Sequence, residues 1–327
     1  MDRSVSDLIP PVGGRIAPVV RVLDARLATL IDAGAPLVRL ADGGAWVEGP
    51  VWLPREQALQ YSDIPNDRAL RWSEAAGLQV VRQPNDFTNG NTLDREGRIV
   101  HCEHGNRRIA RTELDGTRAG LVAYHAGGRL NSPNDVVVAR DGAIWFTDPP
   151  YGILSDREGH TSPMEQAGCF VYRFDPTDGD LAVAVDSMTH PNGLAFSPDE
   201  RILYVADTHA AIEPGADRHI LAFDVGPGHR TSGRRVFAMI DPGVADGFRV
   251  DVEGNVWTST HDGIHIIAPD GHELGRILVP EIVSNCVFGG PDGYRLYITA
   301  SSSLYAIDVL VRGAGVAAAV ARGESIA

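Results

Sequence analysis

The chain has 327 residues, a mass of 35.1 kDa, and 29 basic against 43 acidic residues, so its formal net charge is −14. Because an acidic surface repels phosphate, nucleic-acid binding is not expected. Hydrophobic residues make up 43% and charged residues 22% of the chain, which is ordinary for a folded protein and excludes a disordered one. The 36 Gly and 21 Pro favour many short strands over long helices.

Cysteine usage and the N-terminal residues indicate the compartment. Cys102, Cys169 and Cys286 are odd in number and lack metal-ligand spacing, so neither a disulfide framework nor a zinc ribbon is expected. No apolar run approaches the roughly 20 residues that span a bilayer, so no membrane partner is expected. No apolar stretch precedes Pro10, unlike in a secretory signal. The sequence therefore predicts a cytoplasmic protein.

The two ends of the chain differ from its middle. Residues 1–40 predict an extension, in which apolar side chains over residues 17–34 recur at helical spacing and Gly34 could end the helix. This pattern predicts an amphipathic helix packed on the outside of the main body, with an oligomer contact as the alternative. Residues 313–327 predict a weakly ordered C-terminal tail.

Between these ends a turn followed by a hydrophobic strand recurs six times. The six copies are PREQALQYSD (54–63), DREGRIVHCE (94–103), ARDGAIWFTD (139–148), SPDERILYVAD (197–207), DVEGNVWTST (251–260) and GPDGYRLYITA (290–300). Further strand-like stretches flank each copy, and a fourth outer strand fits the variable gaps. Repeats of about 40–50 residues built from four short antiparallel strands are typical of β-propellers. The sequence therefore predicts an all-β fold, a six-bladed propeller over residues 41–312.

One position of the repeat always carries an oxygen-bearing side chain. It opens the first strand of each unit, seven residues before the turn residue, and we call its six members the ring residues: Glu48, Asn89, Asn134, Asn192, Asp246 and Asn285. The first strand of a blade lines the central channel, so these side chains should converge at the channel mouth. A turn role would account for the members that precede Gly. It does not account for Glu48, Asn134 or Asn285, and we therefore favour a metal site.

The ring suits a hard divalent cation. Carboxylate and amide oxygens favour Ca²⁺ first and Mg²⁺ or Mn²⁺ next, with Zn²⁺ as a further option. Glu48 and Asp246 would supply two negative charges, which balance a divalent ion. A ring of side chains supplies only a few ligands, so water or substrate must complete the coordination, as a catalytic metal requires.

Five longer motifs surround the ring residues. They are EGPVW (48–52), NSPNDVVVARDGAIWFTDPPYG (131–152), HPNGLAFSPDE (190–200), DGFRVDVEGNVW (246–257) and SNCVFGG (284–290). Over residues 45 to 310 the chain resembles the gluconolactonase, senescence marker protein (regucalcin) and luciferin-regenerating enzyme family, and it looks closest to the bacterial gluconolactonase branch. The resemblance implies a six-bladed propeller with one catalytic divalent metal at the channel mouth, which hydrolyses sugar lactones.

The same resemblance assigns roles to individual residues. Glu48, Asn192 and Asp246 fall on the family's metal ligands, and Asn134 falls on a further ligand or substrate contact. Ser132 stands where regucalcin-like members carry an Arg that clamps the substrate, so that clamp is not carried over.

The implied mechanism is attack of water on a lactone ester. The metal would polarise the carbonyl, and Asp246 would take the proton from the attacking water. Because a carboxylate on a dication is a weak base, the alternatives are His104, His261, or water activated by the ion itself.

The remaining predictions concern the substrate. Its predicted contacts are Asn89, Asn134, Asn285, His104, His261 and Tyr151. The expected activity is hydrolysis of a gluconolactone-like aldonolactone to the aldonic acid, a reaction of carbohydrate metabolism. Two alternatives stay open: a phosphotriesterase-like hydrolase on the same propeller, and a non-catalytic propeller that binds a partner.

Overall fold

The computed structural model describes residues 9–315, and β-strands predominate among its elements. Three short strands come first: β1 (Arg15–Ile16), β2 (Val20–Val22) and β3 (Leu37–Ala41). The first and second blades then comprise β4 (Val47–Leu53), β5 (Ala58–Asp63), β6 (Arg68–Ser73) and β7 (Gly77–Arg82), and β8 (Thr88–Leu93), β9 (Ile99–Glu103), β10 (Arg108–Thr112) and β11 (Arg118–Val122).

A small hairpin of β12 (Tyr124–His125) and β13 (Gly128–Arg129) leads to the third blade. The third and fourth blades comprise β14 (Val136–Val138), β15 (Ile144–Asp148), β16 (Phe170–Phe174) and β17 (Leu181–Val185), and β18 (Pro191–Phe196), β19 (Ile202–Asp207), β20 (His219–Val225) and β21 (Thr231–Met239). Helix α1 (Tyr151–Leu154) follows β15, and two 3₁₀ turns (His209–Ala211 and Pro227–His229) flank β20.

The fifth blade comprises β22 (Phe248–Val250), β23 (Val256–Ser259), β24 (Gly263–Ile267) and β25 (Glu273–Leu278). The sixth contains β26 (Val283–Gly289), β27 (Arg295–Ala300) and β28 (Ser303–Asp308), and the N-terminal β3 is its fourth strand. The predicted all-β, six-bladed propeller is confirmed. Because strands from both ends of the chain share the last sheet, main-chain hydrogen bonds close the ring.

The amphipathic helix predicted over residues 17–34 is wrong. Val20–Val22 is instead a strand that pairs antiparallel with β25, and only Ala25–Thr29 forms a 3₁₀ turn, capped by the Asp24 side chain. The outer edge of β25 offers unpaired main-chain groups, and the adjoining backbone N–H groups of Leu23 and Asp24 also donate to Leu274 O, at 3.0 and 2.9 Å. The open edge therefore outweighs the helical spacing of the apolar residues.

Those apolar residues still reach the core. Leu27, Leu30 and Ile31 are at most 1% exposed and join a cluster that lies between the fifth and sixth blades. The other large apolar clusters likewise fill spaces between neighbouring blades. Within residues 9–315 no helix is long and apolar enough to cross a membrane.

The chain beyond the last blade returns to the fifth. Gly313 bridges Asp251, and Arg312 O accepts from Val252 N at 3.0 Å. The rest of the predicted tail, from residue 316, lies outside the described residues. Cys102, Cys169 and Cys286 are free and buried.

Candidate active site at the channel mouth

Four ring residues lie on the innermost strands of their blades, and Asn134 and Asp246 lie two residues before theirs. In four blades the pairing of the first and second strands slips at this position, between Glu48 and Val51, Thr88 and Asn91, Pro191 and Leu194, and Val283 and Asn285. Such bulges re-aim side chains that would otherwise alternate strictly between the faces of a sheet. The bulges therefore account for polar side chains turning toward the axis at the start of otherwise apolar strands.

Glycines that follow the ring residues allow neighbouring blades to approach closely. Gly90 N donates to Asn134 O at 2.8 Å, and Gly193 N donates to Asp246 O at 3.1 Å, so ring residues of consecutive blades are linked through the backbone. A Cβ atom added to Gly193 would lie 2.1 Å from Asp246 O. Gly90 and Gly193 lie inside strands, so their role is close approach and not a hairpin turn.

Gly193→Ala should therefore destabilise the contact between the fourth and fifth blades. We expect the overlap with Asp246 O to force the blades apart and to lower the free energy of unfolding by about 1–3 kcal/mol. Denaturant unfolding measures the loss. Gly226→Ala is the matched control, because Gly226 has a negative φ and a Cβ there would meet its nearest atom at 3.7 Å. Equal stability of the two variants would contradict the close-approach role.

Amide side chains form a continuous hydrogen-bonded chain along the mouth. Asn89 Nδ2 donates to Asn134 Oδ1 at 2.6 Å, and Asn134 Nδ2 donates to Asn192 Oδ1 at 2.6 Å. Asn192 Nδ2 then donates to Thr208 Oγ1 at 3.3 Å, and Thr208 Oγ1 is hydrogen-bonded to the hydroxyl of Tyr151. The chain thereby links three ring residues of consecutive blades to the hydroxyls of Thr208 and Tyr151.

Glu48 and Asn285 complete the ring on its other side. Glu48 is 3% exposed, and its carboxylate accepts from Asn285 Nδ2 at 3.0 and 3.3 Å and from Gly49 N. Burial raises the pKa of Glu48 well above its usual range, and the charges of Asp246 and Asp135 raise it further. Burial likewise raises the pKa of Asp246 to about 7, with a further increase from Asp135 and a partial offset from Asn192.

The donor set at the mouth fits a hard cation. Within residues 9–315 neither Glu48 nor Asp246 has an ion-pair partner, so two adjacent acidic groups lack a compensating positive charge. Asn134 and Asn192 belong to the hydrogen-bonded amide chain of the same mouth, and the Asn192 side chain is hydrogen-bonded to Asp246. No cluster of three His, Cys, Asp or Glu side chains suited to a metal occurs in this part of the chain. The fit therefore rests on mixed carboxylate and amide oxygens, the donors that Ca²⁺ and Mg²⁺ prefer.

Comparisons with known proteins identify the family. The sequence profile of the SMP-30/Gluconolactonase/LRE-like region matches residues 46–302. A gluconolactonase of Zymomonas mobilis is 33% identical over 299 residues, covering 85% of this chain and 83% of that protein. The chain belongs to the SMP-30/Gluconolactonase/LRE-like family.

Solved structures extend the comparison. A gluconolactonase from Xanthomonas campestris superimposes with a TM-score of 0.84 at 40% identity, covering 92% of this chain and 99% of that one. A calcium-binding regucalcin from Agrobacterium tumefaciens shares the fold, with a TM-score of 0.68 at 18% identity over 84% and 94% of the two chains. The predicted family is confirmed.

The two candidate histidines of this family member lie in different environments. His104 is 1% exposed, and its Nδ1 lies 3.0 Å from the carbonyl oxygen of Glu158, so Nδ1 carries the proton. Burial lowers the pKa of His104 to about 4, and the hydrogen bond to the Glu158 carbonyl and then the Asn134 side chain oppose this shift. Its Nε2 is buried without a hydrogen-bond partner and is an acceptor. His261 is exposed, its ring lies against Gly243, and its predicted role stays a prediction.

Ser132 has a structural role at the start of α1. Its buried hydroxyl donates to Pro149 O at 2.6 Å and accepts from Gly152 N at 3.0 Å, which anchors the start of α1. Tyr151, the first residue of α1, stacks on His190 with 6.0 Å between ring centroids. Ser132 therefore positions the wall of the mouth that Tyr151 forms.

Sequence reasoning missed several residues around the mouth. Thr208 is hydrogen-bonded to both Asn192 and Tyr151. It directly follows β19, and nothing in the sequence distinguishes it from an ordinary loop residue. Glu158 contributes its carbonyl to His104, and its charge raises the pKa of Asp246. Asp135 raises the pKa of both Glu48 and Asp246. The sequence indicates such a role only by placing an acidic residue at the start of the apolar run DVVV.

Proposed function

We propose that the protein is a metal-dependent lactonase that hydrolyses a gluconolactone-like aldonolactone to the aldonic acid. The observation that carries the proposal is the pair of carboxylates, Glu48 and Asp246, which lie among amide side chains at the channel mouth and have no ion-pair partner within residues 9–315. Family membership supports the ester-hydrolase class, and the relatives from Zymomonas mobilis and Xanthomonas campestris are gluconolactonases.

Glu48, Asp246, Asn192 and Asn134 are the residues that would hold the divalent ion. The bound ion would supply Lewis-acid polarisation of the lactone carbonyl. Ca²⁺ is the first candidate for this ion, because the donors are all oxygen and the regucalcin of the same fold is calcium-binding.

The side chains at the mouth perform the proton transfers and orient the sugar. Asp246 takes a proton from the attacking water as the water oxygen bonds to the carbonyl carbon. The ester bond to the ring oxygen then breaks, and the proton passes to that oxygen, which leaves a hydroxy acid. The remaining amide hydrogens of the chain would donate to the sugar, and Nε2 of His104, which is buried without a hydrogen-bond partner in the free protein, would accept from a sugar hydroxyl in the complex.

A substrate comparison tests the reaction class. With saturating Ca²⁺, Mg²⁺, Mn²⁺ or Zn²⁺ in turn, proton release from D-glucono-1,5-lactone and from a pentonolactone is measured against a phosphotriester, and the spontaneous rate is subtracted. We expect lactone turnover with at least one ion and much slower phosphotriester turnover. Preference for the phosphotriester would support the rival hydrolase, and no turnover of either substrate would overturn the proposal.

His104→Phe tests the role of the buried acceptor. Phe fills a similar volume but cannot accept a hydrogen bond, so we expect KM for the lactone to rise about 5–10-fold, the usual worth of one hydrogen bond, with little change in kcat. His272→Phe is the control, since His272 is exposed beside the turn that precedes β25. A fall in kcat at constant KM would instead assign His104 to the proton transfer.

A further inference from the structure

Four of the six repeat copies end in an acidic residue. Three of these residues, which we call the strand-end acids, are the last residues of β5, β15 and β19 and are at most 6% exposed: Asp63, Asp148 and Asp207. The second strand of a blade runs antiparallel to the first, so its last residue lies beside the start of the first strand. Asp63, for example, pairs with Val47, which directly precedes Glu48. A carboxylate therefore stands close to the ring residue in each of these blades.

The strand-end acids accept hydrogen bonds from the main chain that leads to the ring residue. Asp63 Oδ1 accepts from Ala45 N at 3.0 Å and from Trp46 N at 3.4 Å. These N–H groups lie three and two residues before the ring residue of the first blade. In the third blade Asp148 Oδ2 accepts from Asn131 N at 2.8 Å, again three residues before the ring residue. The same contact thus recurs in separate blades.

The fourth blade repeats the contact with both carboxylate oxygens. Asp207 Oδ2 accepts from Thr189 N and Asp207 Oδ1 from His190 N, both at 3.1 Å. These N–H groups lie three and two residues before the ring residue, Asn192. Asp207 Oδ1 accepts a further hydrogen bond from His209 N at 3.1 Å. Because all three donors are main-chain groups, Asp207 holds the backbone that leads to Asn192 against the loop that follows β19.

The three blades with this contact are blades whose ring residues we assign to the metal: Glu48, Asn134 and Asn192. The equivalent position differs in the second and sixth blades. Glu103 of the second blade is buried but accepts from Arg108 Nε at 2.6 Å, and the sixth blade has Ala300, which carries no carboxylate. The fifth blade holds its ring residue directly, since Asp246 N donates to Ser259 Oγ at 3.0 Å.

We propose that the strand-end acids are positioning residues for the metal site: each fixes the main chain that carries one proposed ligand, so that the ligand is in place before the ion binds. This inference rests on the metal site of the proposed function. A carboxylate offers two acceptor oxygens to neighbouring N–H groups, whereas an amide offers one oxygen and directs N–H donors at the rest. A ligand that is already ordered loses less conformational freedom when the ion binds, which raises the affinity.

Asp207→Asn tests this role through metal affinity. We expect the dissociation constant of the metal-stripped protein to rise about 10–100-fold, the usual effect of losing a group that orients a metal ligand. Calorimetric titration measures it with Ca²⁺, Mg²⁺, Mn²⁺ and Zn²⁺ in turn. At saturating metal, kcat for the lactone should stay within about threefold of wild type, because the bound ion then holds Asn192 itself.

Hydrogen exchange separates positioning from the loss of a negative charge near the ion. In the metal-free state, the main-chain amides of Thr189 and His190 should exchange about 5–10-fold faster in Asp207→Asn than in wild type, the usual worth of one hydrogen bond. Bound metal should restore much of this protection. Weaker metal binding with unchanged exchange would assign the effect to charge and overturn the positioning role.

Glu103→Gln is the matched control. It removes a buried acid from the equivalent position of the second blade, where the side chain contacts Arg108 and not the main chain before the ring residue. We expect it to lower the free energy of unfolding but to keep the metal dissociation constant within about twofold of wild type, because distant sites act independently. Equal losses of metal affinity in Glu103→Gln and Asp207→Asn would reduce the effect to lost stability and contradict the inference.

The outcomes also separate this inference from the metal site itself. If wild type binds none of the four ions, the metal site fails and the positioning role fails with it. If wild type binds an ion that Asp207→Asn binds equally well, the positioning role is wrong, although the metal site stands. Should Asp207→Asn fail to fold, Asp148→Asn makes the same measurement on the main chain before Asn134, with the same expected result.

Discussion

Asp246→Asn is expected to lower lactone turnover by about 10²-fold or more at saturating metal, the usual size of a lost general base. The change keeps an oxygen donor at the mouth but removes the proton acceptor. Metal affinity should also weaken, because one of the two unpaired negative charges is lost, so kcat is measured in a metal titration that reaches saturation. Asp246 is suited to this role because it is one of only two carboxylates in the ring and is more accessible than Glu48.

Two further variants make this result specific. Asn134→Ala should mainly disturb metal or substrate binding, because an amide cannot accept a proton at neutral pH. Asp241→Asn makes the same chemical change at a side chain that is 87% exposed, and it should leave kcat intact. If Asp246→Asn turns over the lactone at nearly the wild-type rate, Asp246 is not the base, and His104, His261 or water activated by the ion takes its place.

Removal of the metal should abolish turnover, and Glu48→Gln should reproduce much of that loss. Chelation of the purified protein with EDTA, followed by dialysis and reconstitution with each ion, measures the first effect. For Glu48→Gln we expect metal affinity to fall by about 10²–10⁴-fold, since truncating one charge of a buried ion pair typically costs about 3–5 kcal/mol. Elemental analysis and calorimetric titration measure the second effect.

Glu56→Gln is the control for this prediction. Glu56 is exposed in the turn between β4 and β5, at the end of the blade opposite the ring residue. Its replacement removes the same charge from the protein but none from the mouth, so metal content should stay at the wild-type value. Wild-type metal content in Glu48→Gln would contradict the ligand set, whatever its effect on activity.

The repeat made the architecture predictable from sequence. Each blade is built from strands adjacent in sequence, so the turn signals and the apolar strands that follow them identify the units by short-range chemistry. The register between each turn and the preceding ring residue is also local. It is constant in all six units, so the sequence alone identified the ring residues as one set, although bulges and interblade glycines, seen only in the structure, direct them to the axis.

What the sequence left undecided depends on contacts between segments far apart in the chain. Val20–Val22 became a strand because β25, more than 250 residues away, offers an open edge. His104 and His261 occupy equivalent positions in the repeat, yet only His104 is covered by the loop that carries Glu158. Burial under this loop lowers the pKa of His104, so its ring is neutral. Asp135 resembles an ordinary strand residue until the fold brings Arg249 to it. Periodicity reports which face of an element is apolar, whereas electrostatics at the mouth depends on distances that only closure of the ring determines.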